Sequence, residues 1–291
     1  MIKEITILSG KGGTGKTSIT AALASVIDNT VFCDNDVDAA DLHLLLQPEI
    51  ESTHTFLGAR VATIHPEQCT ACGICFEKCR FGAIHPSKGK YVVNAFQCEG
   101  CRLCERVCPD DAITTEQSTR NHWFISKTRF GKLVHAQMAP GEENSGKLVA
   151  LIREKARETA KAQNNTLVIN DGPPGVGCTA ISSVTGTKHV LLIIEATLSG
   201  LHDAKRVVEL VNGFNIPLSA IINKYDLNHE VTEETEAFLS KQKIPLLGKI
   251  PFDPIFTNAM LEGKTVIEYD SNSEVSRIIT EAAGSLTELT I

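Results

Sequence analysis

Eight cysteines between residues 69 and 108 form two copies of one pattern, Cys-x2-Cys-x2-Cys-x3-Cys. Aligning the chain with itself at an offset of 29 residues superimposes the copies. The first copy contains Cys69, Cys72, Cys75 and Cys79, and the second contains Cys98, Cys101, Cys104 and Cys108. Such dense and regular spacing favours metal ligation, because disulfides are rare in reducing compartments. The repeat therefore predicts a small duplicated metal-binding domain at residues 59–117.

Outside the repeat, short apolar runs alternate with longer stretches of mixed polarity. The apolar runs lie at 5–9, 30–33, 167–170, 190–195 and 220–223. The mixed stretches lie at 16–26, 203–211, 233–241 and 273–289. The first set is typical of buried parallel strands and the second of amphipathic helices. This alternation predicts an α/β fold, with a doubly wound, mostly parallel sheet at 1–58 and 118–291 and an α+β insertion at 59–117.

The first strand and the first helix are joined by a glycine-rich loop. Residues 10–17 read GKGGTGKT and satisfy the pattern G-x-x-x-x-G-K-[ST]. Such a loop points backbone N–H groups at phosphate oxygens, and the helix that follows adds the positive end of its dipole. Lys16 is expected to reach the β- and γ-phosphates, and Thr17 to ligate Mg²⁺. The backbone cradle is predicted at Gly12, Gly13, Thr14 and Gly15.

Three aspartates follow predicted strands. Asp34 and Asp36 come after the second strand, and Asp171 ends a later one. Carboxylates at the carboxyl ends of parallel strands face the crevice in which α/β sheets bind ligands. There they can hold Mg²⁺ and orient an attacking water. The alternative for each is an ordinary turn-forming or helix-capping residue.

These motifs resemble the MinD/Mrp/ParA group of P-loop ATPases, which are kin to nitrogenase iron protein. The resemblance rests on the deviant Walker A loop with Lys11, on Asp34-x-Asp36 and on the segment after Asp171, and it covers residues 1–57 and 118–291. It implies an ATP-hydrolysing homodimer that forms around ATP, with Lys11 reaching the phosphates of the partner subunit. It also implies that Asp36 and Asp171 act as switch residues and that Asn223 contacts adenine.

The two cysteine runs resemble those of bacterial ferredoxins, in which the fourth cysteine of each run ligates the other cluster. The resemblance implies two [4Fe–4S] clusters. One would be held by Cys69, Cys72, Cys75 and Cys108, and the other by Cys98, Cys101, Cys104 and Cys79. The first run has Arg80 where proline is usual, a change that removes no ligand. Zinc remains the alternative, because paired Cys-x2-Cys units also build zinc sites.

Two cysteines lie outside the repeat. Cys33 falls in a predicted core strand, where a buried thiol with a structural role is expected. Cys178 follows Asp171 by seven residues, the spacing of a cluster-bridging cysteine in nitrogenase iron protein. The second cysteine of that pair has no evident counterpart here, so packing or nucleotide sensing is the preferred interpretation.

Charge and hydropathy narrow the partners. Asp and Glu number 35 against 28 Lys and Arg, for a net charge of −7, which gives no support to nucleic-acid binding. The last predicted helix carries Glu274, Glu281 and Glu288 against Arg277, unlike a basic membrane anchor. With no long apolar run and a strand-like start, we expect a cytoplasmic protein that binds no membrane.

The favoured function is an ATPase in which nucleotide state is coupled to electron transfer with a partner protein through the two clusters. One alternative is an iron–sulfur cluster carrier or assembly scaffold of the Mrp type. Complete sets of eight ligands within one chain argue for permanent clusters over transfer. The other alternative is a redox-sensing regulator resembling MinD or ParA.

Overall fold

The structure is a computed structural model that describes residues 2–142 and 144–290. Its strands are β1 Lys3–Ser9, β2 Thr30–Asp34, β3 Glu49–Phe56, β4 Arg60–Ile64, β5 Ile84–Ser87, β6 Lys90–Val93, β7 Ile113–Gln117, β8 Asn121–Thr128, β9 Gly131–Gln137, β10 Leu167–Pro174, β11 His189–Glu195, β12 Leu218–Asn223 and β13 Leu246–Ile250. Its helices are α1 Lys16–Ala24, α2 Leu42–Leu46, α3 Ile74–Lys78, α4 Leu103–Val107, α5 Ser145–Ala162, α6 Cys178–Val184, α7 Leu198–Gly213, α8 His229–Gln242, α9 Ile255–Leu261, α10 Val266–Tyr269 and α11 Glu274–Thr290.

A nine-stranded sheet has the order β13-β12-β11-β1-β10-β2-β9-β8-β3. From β13 to β9 the neighbours pair in parallel. All five predicted strands lie in this parallel region, and all four predicted helices are present. The predicted α/β class with a mostly parallel sheet is therefore confirmed.

Successive strand residues point to opposite faces of the sheet, and both faces are covered. On β1, Ile5 and Ile7 pack in one buried cluster with residues of α1 and α11, whereas Leu8 packs in a second cluster with residues of α7 and α8. On β11, Leu191 and Ile193 join the first cluster and their neighbours join the second. Burial on both faces explains why these strands read as continuous apolar runs.

The chain divides into two compact units. The first, called the sheet unit, contains the residues up to Thr53, Trp123–Gln137 and the chain from Ser145 onward. The second, called the cysteine unit, contains His54–His122 and Met138–Asn144. The second segment of the cysteine unit lies outside the predicted 59–117 boundary, since no periodicity in the sequence marks it.

The backbone of the cysteine unit repeats at the same offset of 29 residues as its cysteines. Helices α3 and α4 begin and end 29 residues apart, as do the starts of β5 and β7. Positive φ angles recur in register at Ala71 and Gly100, at Gly73 and Arg102, and at Gly82 and Asp111. Strands β4 and β7 form one antiparallel pair, and β5 and β6 form the other. The sequence duplication is thus a duplication of backbone conformation.

Glu142 clamps the ends of the cysteine unit. Its carboxylate accepts hydrogen bonds from Ser118 Oγ at 2.6 Å, Arg120 Nη2 at 2.6 Å and Asn121 Nδ2 at 3.2 Å. Asn121 Oδ1 in turn accepts from the backbone N–H of Ala139 at 2.9 Å. Burial opposes ionisation of Glu142, but the hydrogen bonds and the charge of Arg120 outweigh it and lower its pKa. The segment at 138–144 is thereby tied to the C-terminal end of the insertion.

Candidate functional site

The glycine-rich loop lies between β1 and α1 and lines a cavity of about 880 Å³, including the space open to solvent. Gly13 and Gly15 have φ angles of 78° and 89°, in the left-handed region that favours glycine. Thr14 Oγ1 is buried and has no hydrogen-bond partner among the described residues. Lys11, Lys16, Thr17 and Asp36 also line this cavity. A loop with inward glycines and an unpaired hydroxyl fits the phosphate site that the sequence predicts.

Asp171, at the carboxyl end of β10, gathers three side chains of α1. Its Oδ1 accepts from Lys16 Nζ at 3.1 Å and from Thr20 Oγ1 at 2.9 Å, and its Oδ2 accepts from Thr17 Oγ1 at 2.8 Å. Asp171 and Lys16 are both buried, so this ion pair is well shielded from water. The structure therefore brings together three predicted residues and adds Thr20. Thr20 follows Lys16 by one helical turn, which is the signal that could have identified it.

Asp34 and Asp36 lie beside this group with different exposure. Asp34 is aligned with Asp171 in the β2–β10 pairing and accepts from the backbone N–H groups of Asp36 and Leu42. Burial raises the pKa of Asp34 well above its ordinary range, and the charge of Asp171 adds to the rise while Lys16 opposes it. Burial also raises the pKa of Asp36, to about 6, although Lys16 lowers it. These carboxylates are thus poised at the edge of the sheet, as predicted from the strand ends.

Asn223 uses its amide within the protein. Its Nδ2 donates to the carbonyl of Thr14 at 2.7 Å, and its Oδ1 accepts from the backbone N–H of Lys224 at 3.0 Å. A side chain at Gly15 would place its Cβ 2.5 Å from Asn223 Nδ2, so the glycine also permits this close approach. Asn223 therefore braces the loop from β12, and the adenine contact implied by the resemblance stays a prediction.

Lys11 points back into its own chain. Its Nζ forms an ion pair with Glu195 and donates to Thr197 Oγ1 at 3.0 Å and Ser199 Oγ at 3.2 Å. Lys224 Nζ bonds the same Glu195 at 2.8 Å and the carbonyl of Gly13 at 3.1 Å. Sequence reasoning missed Glu195 and Lys224, because no local pattern distinguishes them from other charged residues at strand ends.

The cysteine unit contains two cavities, and each has four cysteines in its lining. One cavity, of about 310 Å³ with its open space, is lined by Cys69, Cys72, Cys75 and Cys108. The other, of about 400 Å³, is lined by Cys98, Cys101, Cys104 and Cys79. These are the two crossed sets that the ferredoxin resemblance implies. The backbone fold alone thus carries the fourth cysteine of each run to the other cavity.

Backbone groups around the cysteines suit thiolate ligands. N–H groups of Ala83 and Ala112 donate to Cys79 Sγ at 3.4 Å and Cys108 Sγ at 3.3 Å, again 29 residues apart. Burial raises the pKa of Cys104 to about 11 and also raises that of Cys75. A bound cation would be needed to keep those two thiols deprotonated near neutral pH.

Among the described residues, no three or more His, Cys, Asp or Glu side chains converge on a single metal ion. The cysteines of a [4Fe–4S] cluster each bind a different iron, so they surround a volume and need not meet at one point. Two four-cysteine cavities fit that requirement better than a tetrahedral zinc site, in which four sulfurs lie about 2.3 Å from one ion.

The two remaining cysteines differ in environment. Cys33 on β2 is fully buried and donates to Asn35 Oδ1 at 3.1 Å, which confirms the expected core thiol. Burial raises its pKa well above the ordinary value. Cys178 begins α6 and is exposed.

The sequence of the chain was then compared with known families. The profile of the CobQ/CobB/MinD/ParA nucleotide binding domain matches residues 5–266. The chain belongs to this family. The family's span includes the glycine-rich loop, the three aspartates and the whole cysteine unit, so the cysteine unit is an addition within a known nucleotide-binding domain.

Three similar proteins place the two units. The uncharacterized protein MJ0578 of Methanocaldococcus jannaschii is 34% identical over 99% of this chain and 98% of its own length. The septum site-determining protein MinD of Pyrococcus horikoshii, solved with Mg-ADP, aligns over 99% of this chain and 97% of its own, with a TM-score of 0.61 and 19% identity, which shows a shared fold. Ferredoxin-1 of Rhodobacter capsulatus is 53% identical over 54 residues, 16% of this chain and 83% of its own.

The ferredoxin match is limited in extent, so the P-loop class of the sequence prediction is confirmed and the bound clusters remain a proposal. Within residues 2–142 and 144–290, no helix is long and apolar enough to cross a membrane.

Proposed function

We propose that this protein binds and hydrolyses ATP as a homodimer and couples nucleotide state to electron transfer through two [4Fe–4S] clusters in its cysteine unit. The observation that carries the proposal is the presence, in one chain, of a complete phosphate loop and two cavities with four cysteines each. A partner protein that exchanges electrons with the cysteine unit is part of the proposal.

In the sheet unit, each side chain has a role consistent with its position. Lys16 and the loop N–H groups would bind the β- and γ-phosphates, and Thr17 with Asp34 would hold Mg²⁺. Asp36, which lines the cavity, would orient the water that attacks the γ-phosphoryl group to yield ADP and phosphate. Asp171 contacts both Lys16 and Thr17, so a change in the phosphates would be felt by β10 and the turn after it.

In the cysteine unit, the crossed cysteine sets would hold the clusters as permanent groups. Bound clusters supply one-electron redox chemistry. The chain contributes the thiolates and the N–H donors at Ala83 and Ala112. It also contributes buried residues such as Ile84 and Ile113, which keep water from the cavities.

The test of the proposed coupling is a redox titration followed by EPR in the nucleotide-free, ADP and ATP-analogue states. If ATP binds the oxidised and reduced forms with affinities that differ about tenfold, linkage requires a potential shift of about 59 mV for one electron. Equal potentials in every state, with an ATPase rate indifferent to cluster reduction, would refute the coupling.

The first control is composition. Anaerobically purified protein should contain about eight iron and eight acid-labile sulfide per chain, because two complete cysteine sets suit two clusters. Stoichiometric zinc without iron would contradict the proposal. Transfer of intact clusters to an apo-acceptor, with equal potentials in all nucleotide states, would instead favour a cluster carrier of the Mrp type.

A further inference from the structure

Glu195 ends β11 and accepts from two lysines at the phosphate loop. Its Oε2 pairs with Lys11 Nζ, and its Oε1 accepts from Lys224 Nζ at 2.8 Å. The Glu195 side chain is only 13% exposed, so both ion pairs are partly shielded from solvent. Burial opposes ionisation of this carboxyl, but the hydrogen bonds from Lys11 and Lys224 outweigh it and lower its pKa.

The Lys11 ammonium group is fully engaged within its own chain. An ammonium has three N–H donors, and three acceptors surround it: Glu195, Thr197 Oγ1 at 3.0 Å and Ser199 Oγ at 3.2 Å. Thr197 is the N-cap of α7, where its hydroxyl also accepts from the N–H of Gly200. A lysine held by a strand end and a helix cap cannot at the same time extend to another subunit.

Lys224 makes release of Lys11 feasible. It bonds Glu195 and also the carbonyl of Gly13 at 3.1 Å. When Lys11 leaves, Glu195 still has a cationic partner that is anchored to the phosphate loop. Because the carboxylate is not left buried and unpaired, the penalty that normally follows the loss of one member of an ion pair is reduced. Two arrangements of Lys11 are therefore accessible to the same scaffold.

We propose that Glu195 is a positioning residue that holds Lys11 inside the single chain, so that ATP-dependent dimerisation requires Lys11 to exchange Glu195 for the nucleotide of the partner subunit. This inference rests on the proposed function, in which Lys11 acts across the dimer. It adds a specific competitor for that lysine and identifies the step at which dimer formation is opposed.

The test measures the dimer dissociation constant with a non-hydrolysable ATP analogue and Mg²⁺ by analytical ultracentrifugation. Glu195→Gln removes the charge but keeps an acceptor for both lysines, and it should tighten the dimer about fivefold to tenfold, as expected for the loss of one partly shielded ion pair. Glu158→Gln is the matched control, because it breaks an exposed pair with Lys155 and changes the net charge equally. The control should dimerise like the wild type.

Two further variants separate positioning from a structural effect. Ser199→Ala removes one acceptor of Lys11 without touching the Glu195–Lys224 pair, and should tighten the dimer about twofold. Glu195→Gln combined with Lys11→Ala should dimerise no better than Lys11→Ala alone, because there is no lysine left to release. ADP affinity of the monomer should be the same in the wild type, Glu195→Gln and Ser199→Ala.

The outcomes distinguish the two levels of the proposal. If Lys11→Ala dimerises with ATP like the wild type, the role of Lys11 across the dimer is wrong, and the inference falls with it. If Lys11→Ala abolishes dimerisation but neither Glu195→Gln nor Ser199→Ala tightens it, the role of Lys11 stands and the holding role of Glu195 is refuted. Tightening by Glu195→Gln that persists in the Lys11→Ala background would also refute it.

Discussion

The sheet unit and the cysteine unit position their functional side chains by different means. In the sheet unit, the side chains at the cavity are bonded to one another, as Asp171 is to Lys16, Thr17 and Thr20, above large buried clusters on both faces of the sheet. In the cysteine unit, the buried cluster is small and includes a candidate ligand, Cys75. The difference indicates that one site is built on an independent core, whereas the other is part of its own core.

Removal of the metal should give the largest effect and tests that contrast directly. Stripping iron from the protein should unfold the cysteine unit, because a small unit with short elements depends on its bound groups for stability. Limited proteolysis should then cleave within residues 54–122 and leave the sheet unit intact. Nucleotide binding by the treated protein is the control. A cysteine unit that stays protease-resistant without iron would show that its apolar core suffices.

Cysteine substitutions sharpen the comparison within the cysteine unit. Cys108→Ala should deplete the site formed with Cys69, Cys72 and Cys75 and spare the other site, since Cys108 lines only the first cavity. Cys79→Ala should give the reverse result for the same reason. The measurement is iron content with EPR of each cluster, and about half of the iron should remain in each variant. Loss of the site to which the run itself contributes three cysteines would disprove the crossing.

Lys16→Ala probes the preformed network of the sheet unit. Nucleotide binding should fall below detection, and the free energy of unfolding should drop by about 3–5 kcal/mol, because Asp171 is left buried without its cationic partner. Titration with a fluorescent ATP analogue and chemical denaturation measure the two effects. Lys11→Ala is the matched control and should retain nucleotide binding, since Lys11 pairs with Glu195 and makes no contact with Asp171. Equal loss in both variants would argue against separate roles.

The smallest effect is expected at the Glu142 clamp. Glu142→Gln should destabilise the cysteine unit by about 1–3 kcal/mol, because Ser118 and Arg120 lose a charged acceptor. Since the folded protein lowers the pKa of Glu142, its stabilisation is present above the ordinary value of 4.5 and is lost as the pH falls through the lower folded pKa. Urea denaturation at pH 7 and pH 3 measures this, with the exposed Glu99→Gln as control. A pH-independent difference between Glu142→Gln and the wild type would exclude the charge as the cause.

Local patterns were sufficient to predict the frame of both sites. The GKGGTGKT loop specifies its own turn through glycines with positive φ, and its neighbours β1 and α1 are short-range consequences of apolar spacing. Asp34 and Asp171 could be placed together because parallel strands end at one edge of a sheet. The cysteine spacing likewise carries the backbone conformation that crosses the ligand sets. Other elements, such as β8, β9 and α5, were not predicted, because their apolar spacing is weaker.

Only the tertiary structure decided which side chains brace and restrain these sites. Thr20 and Asp171 are 151 positions apart, Lys11 and Thr197 are 186 apart, and Asn223 and Thr14 are 209 apart. Glu142 joins the cysteine unit from beyond its predicted boundary. Contacts at such separations depend on the order in which parallel strands assemble and on where each helix packs back, and no sequence window contains that information. The sequence by itself therefore determined the two chemistries, and the fold determined which partners hold each reactive group.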